Sequence, residues 1–324
     1  MTNLSRDVEK SVKYAHDRIK VSVVIPCYNH GKFLKGAVQS VLRSRFTKYE
    51  IIVVNDGSTA DLTLDILNEM EEKFQYDGTV NFMHQENSGL AAARNNGIKM
   101  SKGEYILPLD ADNRIRPDYL TKAVDVLDRH PEIGVVYAYA QTFGDQDPYE
   151  KFFGNEKGLR RFQEFDGKRL LVNNFIDACS VLRKKVWEEC NGYDGDMGVM
   201  GYEDWDLWIG AMEKGWKFHL IKEVLFEYYI DKNSMVSGCN IPENRRHLIK
   251  YICNKHRNTY VEHLEYVIAE KDVLKLLAEN RELDYENVRS KLYPIIRSKQ
   301  IFQYEGFSTL IRKIKAKLRC RMNM

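Results

Sequence analysis

The sequence predicts an α/β protein in which a mainly parallel sheet is flanked by helices and followed by a C-terminal helical extension. Short apolar runs rich in β-branched residues alternate with amphipathic segments over residues 21–109, an order typical of such a sheet. The chain has 324 residues, of which 44% are hydrophobic and 30% are charged. This length and composition indicate a globular protein with a sizeable core.

Predicted strands and helices alternate through the first third of the chain. Val21–Pro26 is a β-branched run closed by proline, which predicts a buried strand. Phe33–Arg43 has apolar residues at helical spacing, which predicts a helix with one buried face. The same patterns predict strands at Ile51–Val54, Thr79–His84 and Glu104–Leu109, and helices at Leu62–Phe74 and Gly89–Lys99.

The rest of the chain is predicted to contain fewer strands. Thr142–Leu170 is rich in charge, aromatic residues and glycine, and is interpreted either as an excursion beside the site or as a loop. Apolar patterns predict strands at Gly134–Gln141 and Phe175–Leu182, helices at Lys185–Cys190 and Glu203–Lys214, and a helical region from Pro242.

Charge and cysteine content exclude several classes of protein. The 49 basic and 47 acidic residues nearly cancel, so no overall field would attract nucleic acid. The six cysteines form no CxxC pair and no Cys/His cluster, which argues against structural zinc and a disulfide framework. The N-terminus lacks an apolar signal segment, and the apolar runs are too short to span a bilayer. We therefore expect a cytoplasmic protein.

Polar clusters follow the first four predicted strands, where open parallel sheets bind their ligands. Gly31 and Gly36 are spaced as in a phosphate-binding loop, but the required Lys-Ser/Thr does not follow, and no GxGxxG opens the first helix. Neither a Walker loop nor a dinucleotide site is predicted. Asp110 and Asp112 lie in one turn after the fourth strand, and such carboxylates suit Mn²⁺ or Mg²⁺. The alternative is a turn with no metal, since the Asp-x-Asp pattern also occurs in ordinary turns.

A second acidic pair, Glu203-Asp204, begins a predicted helix. Carboxylates at this position commonly cap a helix and stabilise its dipole, which is the alternative to a catalytic role. The catalytic interpretation is a general base that removes the proton of an attacking alcohol. Trp205 is a candidate stacking wall for a sugar ring of the acceptor, and Trp208 is a candidate core residue.

Five sequence blocks occur in the order found in one enzyme family: VSVVIPCYNHGKFL, EIIVVNDGST, ENSGLAAARNNGI, EYILPLDADN and GYEDWDLW. Through these blocks, residues 21–237 resemble the nucleotide-sugar-dependent glycosyltransferases of family 2. The resemblance implies a GT-A fold and inverting transfer of one sugar, most simply from a UDP-sugar, to a hydroxyl of a cell-surface glycan or glycolipid. It further implies a GT-A domain at 21–240, while the sequence pattern predicts an N-terminal arm at 1–20 and a helical region at 241–324. Within the domain, 21–113 is the expected nucleotide-binding half and 114–240 the acceptor half.

The resemblance assigns the recognition of the nucleotide to five positions. Pro26, Tyr28 and Asn29 are implied to line the nucleobase pocket, with Tyr28 stacking on the base. Asp56 is implied to accept a hydrogen bond from a uracil-type ring nitrogen, and Arg94 to contact the base or a phosphate.

The remaining implied roles concern the reaction. Asp110 is implied to lie near the ribose, and Asp112 at the Mn²⁺ or Mg²⁺ that bridges the diphosphate. Asp204 is implied to be the base, with Glu203 supporting its orientation. A cation would neutralise charge on the leaving nucleotide, and a base on the opposite side gives direct displacement with inversion.

The sequence departs from the family pattern in two places. Asn113 follows the Asp-x-Asp where a third aspartate is common, and is expected to be a weaker ligand. After the last strand, residues 227–232 replace an arginine and a metal-binding histidine, so either Asp231 substitutes as a ligand or the metal lacks one. The Gln-x-x-Arg-Trp motif of processive synthases is absent from the sequence, which favours transfer of a single sugar.

Two other functions agree with parts of the sequence. One is a catalytically silent nucleotide- or carbohydrate-binding protein, against which the presence of both Asp112 and Asp204 argues. The other is a sugar nucleotidyltransferase, which would leave the Glu203-Asp204-Trp205 block unexplained. Released nucleoside diphosphate would indicate glycosyl transfer, and pyrophosphate would indicate nucleotidyl transfer. Neither product would indicate a binding protein.

The C-terminal tail, residues 306–324, is basic and contains no acidic residue. Its apolar residues recur at helical spacing, which predicts a basic amphipathic helix. They are Leu310, Ile311, Ile314 and Leu318. Such a helix can lie on an anionic membrane surface, where each basic residue contributes about 1 kcal/mol. Alternatively, the apolar side packs on the preceding helices or on a partner subunit of a homo-oligomer.

We expect the 324-residue chain to co-sediment with anionic vesicles at low salt and to dissociate as salt rises, because ions screen its contact with lipid head groups. A variant truncated after Glu305 should lose this binding, and vesicles of neutral lipid are the control. Equal sedimentation of the two proteins would show that the tail does not anchor the chain.

Overall fold

The computed structural model of the chain describes residues 19–145, 158–231 and 238–279. The chain divides into two compact units, residues 1–259 and 260–324. In the described part of the chain, no helix has both the length and the apolar character needed to cross a bilayer. The expectations for the N-terminal arm up to residue 18, for residues 146–157 and for the basic tail fall outside the described residues.

Strands and helices alternate over residues 21–108, as predicted. The described strands are β1 (Val21–Cys27), β2 (Tyr49–Asp56), β3 (Val80–Gln85), β4 (Tyr105–Pro108), β5 (Arg114–Ile115), β6 (Ile133–Gly144), β7 (Leu159–Arg160), β8 (Val181–Arg183) and β9 (Lys217–Ile230). The described helices are α1 (Gly31–Leu42), α2 (Asp61–Phe74), α3 (Leu90–Met100), α4 (Tyr119–Arg129), α5 (Gly167–Val172), α6 (Lys184–Glu189), α7 (Glu203–Glu213), α8 (Pro242–Lys255), α9 (Arg257–Glu262) and α10 (Leu264–Glu279).

The strands form one sheet in the order β3-β2-β1-β4-β8-β6-β9-β5, and β7 pairs with β6. The long ladders are parallel: β1 pairs with β2 and β4, β2 pairs with β3, and β6 pairs with β9. The short strand β8 is antiparallel to both β4 and β6 and so joins the two parallel parts. The predicted α/β class with a helix-flanked sheet is confirmed. The carboxyl ends of β1 to β4 therefore meet at one edge.

The central strands β1 and β2 lie in the core. Every residue of β1 is buried, as expected for a parallel strand covered on both faces. Helix α3 approaches these strands closely because Gly97 faces them. A Cβ atom there would lie 2.4 Å from Val24 Cγ1 and 2.9 Å from Val54 Cγ2. This packing holds Arg94, one helical turn earlier, against the edge of the sheet.

The strand predicted at Phe175–Leu182 is wrong for most of its length, since β8 begins only at Val181. Residues 173–180 instead form a loop in which side chains bind nearby backbone groups. Asn174 Oδ1 accepts from the Ile176 N–H at 3.2 Å, and Asp177 Oδ1 accepts from the Cys179 N–H at 2.8 Å. Such local hydrogen bonds compete with a sheet ladder, which explains why no strand forms here.

The sequence patterns did not indicate α4, β5 or the 14-residue strand β9. In β9, Lys222 and Glu223 interrupt the apolar run and are exposed. The ladder with β6 pairs Ile221 with Ala138 and then Val224 with Tyr139. The two charged residues therefore bulge out of the ladder and break the alternation by which a strand is recognised.

Candidate active site

Asn29 joins the loop after β1 to the loop after β2. Its backbone has a φ of +57°, in the left-handed region that asparagine tolerates. The side-chain Oδ1 accepts from the backbone N–H groups of Thr59 at 2.8 Å and Ala60 at 2.9 Å. The Asn29 N–H donates to Ser58 Oγ at 3.0 Å. The two loops thus form one rigid wall at the edge of the sheet.

Asp56 joins the end of β2 to the loop after β3. The residue is 3% exposed, and its carboxylate accepts from the Ser88 N–H at 2.8 Å, the Gly89 N–H at 2.9 Å and Gln85 Nε2 at 2.7 Å. A carboxylate can accept about four hydrogen bonds, so one position remains open.

The residues expected at the nucleobase pocket differ in exposure. Tyr28 is 48% exposed at the mouth formed by these loops, so its ring can contact a ligand. Pro26 is buried in β1 opposite Val54, and can contribute only to the floor of the pocket. The Asn29 side chain is occupied by the neighbouring loop, and therefore shapes the pocket through the backbone.

Arg94 connects the two sides of the site. Its guanidinium is buried, and donates from Nη2 to Asp110 Oδ1 at 2.6 Å and from Nη1 to Glu203 Oε1 at 2.8 Å. Its Cζ lies 5.4 Å from the centre of the Tyr193 ring. Burial alone would lower the pKa of Arg94, but the two carboxylates outweigh it and raise the pKa above its ordinary value. Asp110 follows β4 and Glu203 begins α7, so one cation bridges the expected donor and acceptor sides.

Asp112 lies in an acidic part of the site. Burial raises the pKa of its carboxyl to about 7, and the charges of Asp110, Asp177 and Asp231 contribute in the same direction. His30 Nδ1 lies 3.8 Å from Asp112 Oδ2. Among the residues that the structure describes, no group of three His, Cys, Asp or Glu side chains is arranged to hold a metal. The oxygen donors and the concentrated negative charge fit a hard divalent cation that takes its other ligands from water or substrate.

Asn113 has a different role from the weak ligand that was expected. Its side chain is buried, and its Oδ1 accepts from the Tyr229 N–H at 2.9 Å. This bond fixes the end of β9 beside the turn that carries Asp112. Glu227 to Ile230 belong to β9 itself, so the replaced family segment lies within the strand and Asp231 directly follows it.

Asp204 lies in the first turn of α7, on the other side of Arg94. Its Oδ2 accepts from Asn174 Nδ2 at 3.0 Å, and its Oδ1 accepts from the Trp205 N–H at 2.7 Å. Burial raises the pKa of Asp204 to about 8, Glu203 adds to this effect and Arg94 opposes it. A carboxyl group whose pKa lies near neutrality is well suited to general base catalysis.

Glu203 and Trp205 are both held by the protein. Glu203 Oε2 accepts from the Gly201 N–H at 2.7 Å, while its other oxygen binds Arg94. Trp205 is 3% exposed, and its indole N–H donates to the Leu170 carbonyl at 2.6 Å. A ring buried in this way offers no open face to a sugar, so the expected acceptor wall is corrected to a packing residue. Trp208 is fully buried, as expected for the core.

Sequence reasoning missed Asn174 and Asp177. Burial raises the pKa of Asp177 to about 6, and its charge in turn raises the pKa of both Asp112 and Asp204. The charge of Asp177 therefore acts on both sides of the site. Both residues belong to the segment that was predicted as a strand, where neither would have been recognised as a site residue.

The chain is similar to known proteins in both sequence and structure. The model of the family described as Glycosyl transferase family 2 matches residues 22–190. The putative teichuronic acid biosynthesis glycosyltransferase TuaG of Bacillus subtilis is 29% identical over 219 residues, which cover 67% of this chain and 82% of TuaG. Glycosyltransferase GlyA of Streptococcus pneumoniae is 28% identical over 227 residues, which cover 67% of this chain and 31% of GlyA.

Two solved structures share the fold. S. aureus TarS 1-349 in complex with UDP-GlcNAc aligns with a TM-score of 0.61 and 17% identity, over 88% of this chain and 78% of the other. The mannosyltransferase PcManGT of Pyrobaculum calidifontis, in complex with GDP-Man and Mn²⁺, aligns with a TM-score of 0.53 and 15% identity, over 93% and 87% of the two chains.

Replacing Arg94 with methionine should lower the free energy of unfolding by about 3–5 kcal/mol, because the buried Glu203 carboxylate and the part-exposed Asp110 carboxylate would lose their shared cation. Urea denaturation measures this loss. The double variant Arg94→Met with Glu203→Gln should recover part of the stability, since it leaves fewer unpaired charges. Equal stability of wild type and Arg94→Met would contradict the bridging role.

Proposed function

The chain belongs to glycosyl transferase family 2, and from this premise we propose that it transfers a single sugar, with inversion, from a UDP-sugar to a hydroxyl of a cell-surface glycan or glycolipid. The chain is a glycosyltransferase with the GT-A fold, as the resemblance implied. The observation that carries the proposal is that Arg94 joins Asp110, in the turn that contains Asp112, to Glu203, the neighbour of Asp204. One side suits a leaving diphosphate, and the other suits a nucleophile.

The loops after β1, β2 and β3 form the proposed nucleotide pocket. Tyr28 would stack on the base, and the remaining acceptor position of Asp56 would receive a ring N–H, which uracil provides. Asp110 would face the ribose, while Arg94 holds Asp110 in place through its hydrogen bond. The TarS complex with UDP-GlcNAc supports a UDP donor.

Asp112 and Asp231 are the proposed ligands of Mn²⁺ or Mg²⁺. Bound there, the cation would neutralise the negative charge that develops on the departing nucleoside diphosphate. The mutual repulsion of Asp112, Asp110 and Asp177 supports this assignment, as does the Mn²⁺ complex of PcManGT.

Asp204 is the proposed general base. As the acceptor oxygen forms a bond to the anomeric carbon, the bond from that carbon to the phosphate oxygen breaks. The bonding electron pair leaves with the nucleoside diphosphate, and the proton of the acceptor hydroxyl passes to Asp204. A single displacement of this kind inverts the anomeric carbon. Glu203, held by Arg94 and the Gly201 N–H, orients the helix turn that carries the base.

The acceptor and location are proposed from the relatives and from the tail. TuaG is named for teichuronic acid biosynthesis, which supports an acceptor of the cell-surface glycan class. The basic segment at residues 306–324, which the sequence pattern predicts to be an amphipathic helix, would bring a cytoplasmic enzyme to lipid-linked acceptors at the inner face of the membrane.

Asp204→Asn should reduce turnover by about 10²–10⁴-fold, since an amide cannot take the proton of the acceptor. Release of UDP from a panel of UDP-sugars with Mn²⁺, in which water takes the place of the acceptor hydroxyl, measures turnover. Calorimetry should give unchanged binding of UDP. The exposed Asp196→Asn is the matched control and should behave as wild type. Wild-type turnover of Asp204→Asn would refute the base assignment. Release of pyrophosphate would identify a nucleotidyltransferase instead.

Asp112→Asn should weaken the binding of UDP in the presence of Mn²⁺ by about tenfold or more, equivalent to about 1.4 kcal/mol. Without a metal, UDP should bind the variant at least as tightly as the wild type, because a carboxylate that repels the diphosphate has been removed. Chelation should abolish transfer by the wild type. The exposed Asp125→Asn is the control, and full activity after exhaustive chelation would overturn the metal proposal.

A further inference from the structure

The loop at residues 173–180 fixes the orientation of the Asn174 amide. Asn174 Oδ1 accepts from the Ile176 N–H at 3.2 Å, so its oxygen must face that backbone donor. The amide nitrogen then points away from it and donates from Nδ2 to Asp204 Oδ2 at 3.0 Å. The loop itself is fastened to α7, since the Ile176 carbonyl accepts from the Trp208 indole N–H at 3.2 Å. The backbone that carries Asn174 is therefore fixed relative to α7, and with it the position of the amide beside Asp204.

We propose that Asn174 is a positioning residue for the Asp204 carboxylate, fixing its Oδ2 and favouring its deprotonated form. This inference rests on the proposed role of Asp204 as the base. The Trp205 N–H binds Oδ1 in the same way, so each carboxylate oxygen keeps an open position for the hydroxyl of an acceptor.

The charged and buried surroundings of Asp204 explain why a hydrogen bond from the neutral Asn174 amide matters for its protonation. Burial, Glu203 and Asp177 all favour the protonated carboxyl, and Arg94 favours the carboxylate. Two further titratable groups, Tyr193 and Cys239, also interact with the Asp204 charge. A hydrogen bond donated to the carboxylate stabilises it without adding a charge to a crowded site. Removing that bond would leave the base protonated over a wider pH range.

The pH dependence of turnover tests the inference. In Asn174→Ala the acid limb of the pH profile should move to higher pH by about half to one unit, because one hydrogen bond is lost. Turnover should return towards the wild-type value at high pH. Asn174→Asp keeps the shape of the side chain but adds a like charge, and should move the limb further. The adjacent exposed Asn173→Ala is the matched control and should leave the profile unchanged.

A measurement without substrate separates this inference from the proposed function. In protein labelled with [γ-¹³C]aspartate, the Asp204 signal is the one missing from Asp204→Asn, and its titration should move to higher pH in Asn174→Ala. An unmoved titration, together with loss of turnover in Asp204→Asn, would overturn the inference alone. Full turnover of Asp204→Asn would overturn the base assignment and the inference with it.

Discussion

The two ion pairs of the buried Arg94 side chain are the interaction on which the arrangement of the site depends. The guanidinium binds Asp110 after β4 and Glu203 at the start of α7, and so sets the spacing between the nucleotide side and the acceptor side. Charges of this kind are costly to bury, and removing one partner leaves the others uncompensated. Gly97 makes the arrangement possible, since its missing side chain lets α3 bring Arg94 down to the sheet.

The site as a whole is more negative than Arg94 can balance. Asp112, Asp177 and Asp204 all have a raised pKa, each chiefly through burial and then through its neighbours' charges. The repulsion among these carboxylates has two consequences. On the nucleotide side it favours a divalent cation, and on the acceptor side it gives a carboxyl group the basicity that proton removal requires.

Helix α7 is supported from a part of the chain beyond the matched residues 22–190. Asp206 on α7 accepts from Lys255 Nζ of α8 at 2.8 Å and lies 3.0 Å from His256 Nε2. Burial lowers the pKa of His256, but its contacts with Asp206 and Glu213 outweigh burial and raise it. Lys255 also binds Asp194, in the loop before α7. The proposed base is thus held from α3 by Arg94, and from α8 and the residue after it by this second cluster.

The sequence by itself determined the first four strands, their helices and the positions of Asp112 and Asp204, because apolar periodicity, strand ends and helix starts are local properties. The same reasoning failed at β9, where Lys222 and Glu223 bulge from the ladder, and at residues 173–180, where side chains bind the backbone. Only the tertiary structure decided that Arg94 meets Glu203, 109 residues away. It also decided that Asn174 reaches Asp204 and that Trp205 is buried. These contacts arise from the packing of elements that are distant in sequence. A local sequence pattern therefore cannot predict which partner a buried charge or amide will contact.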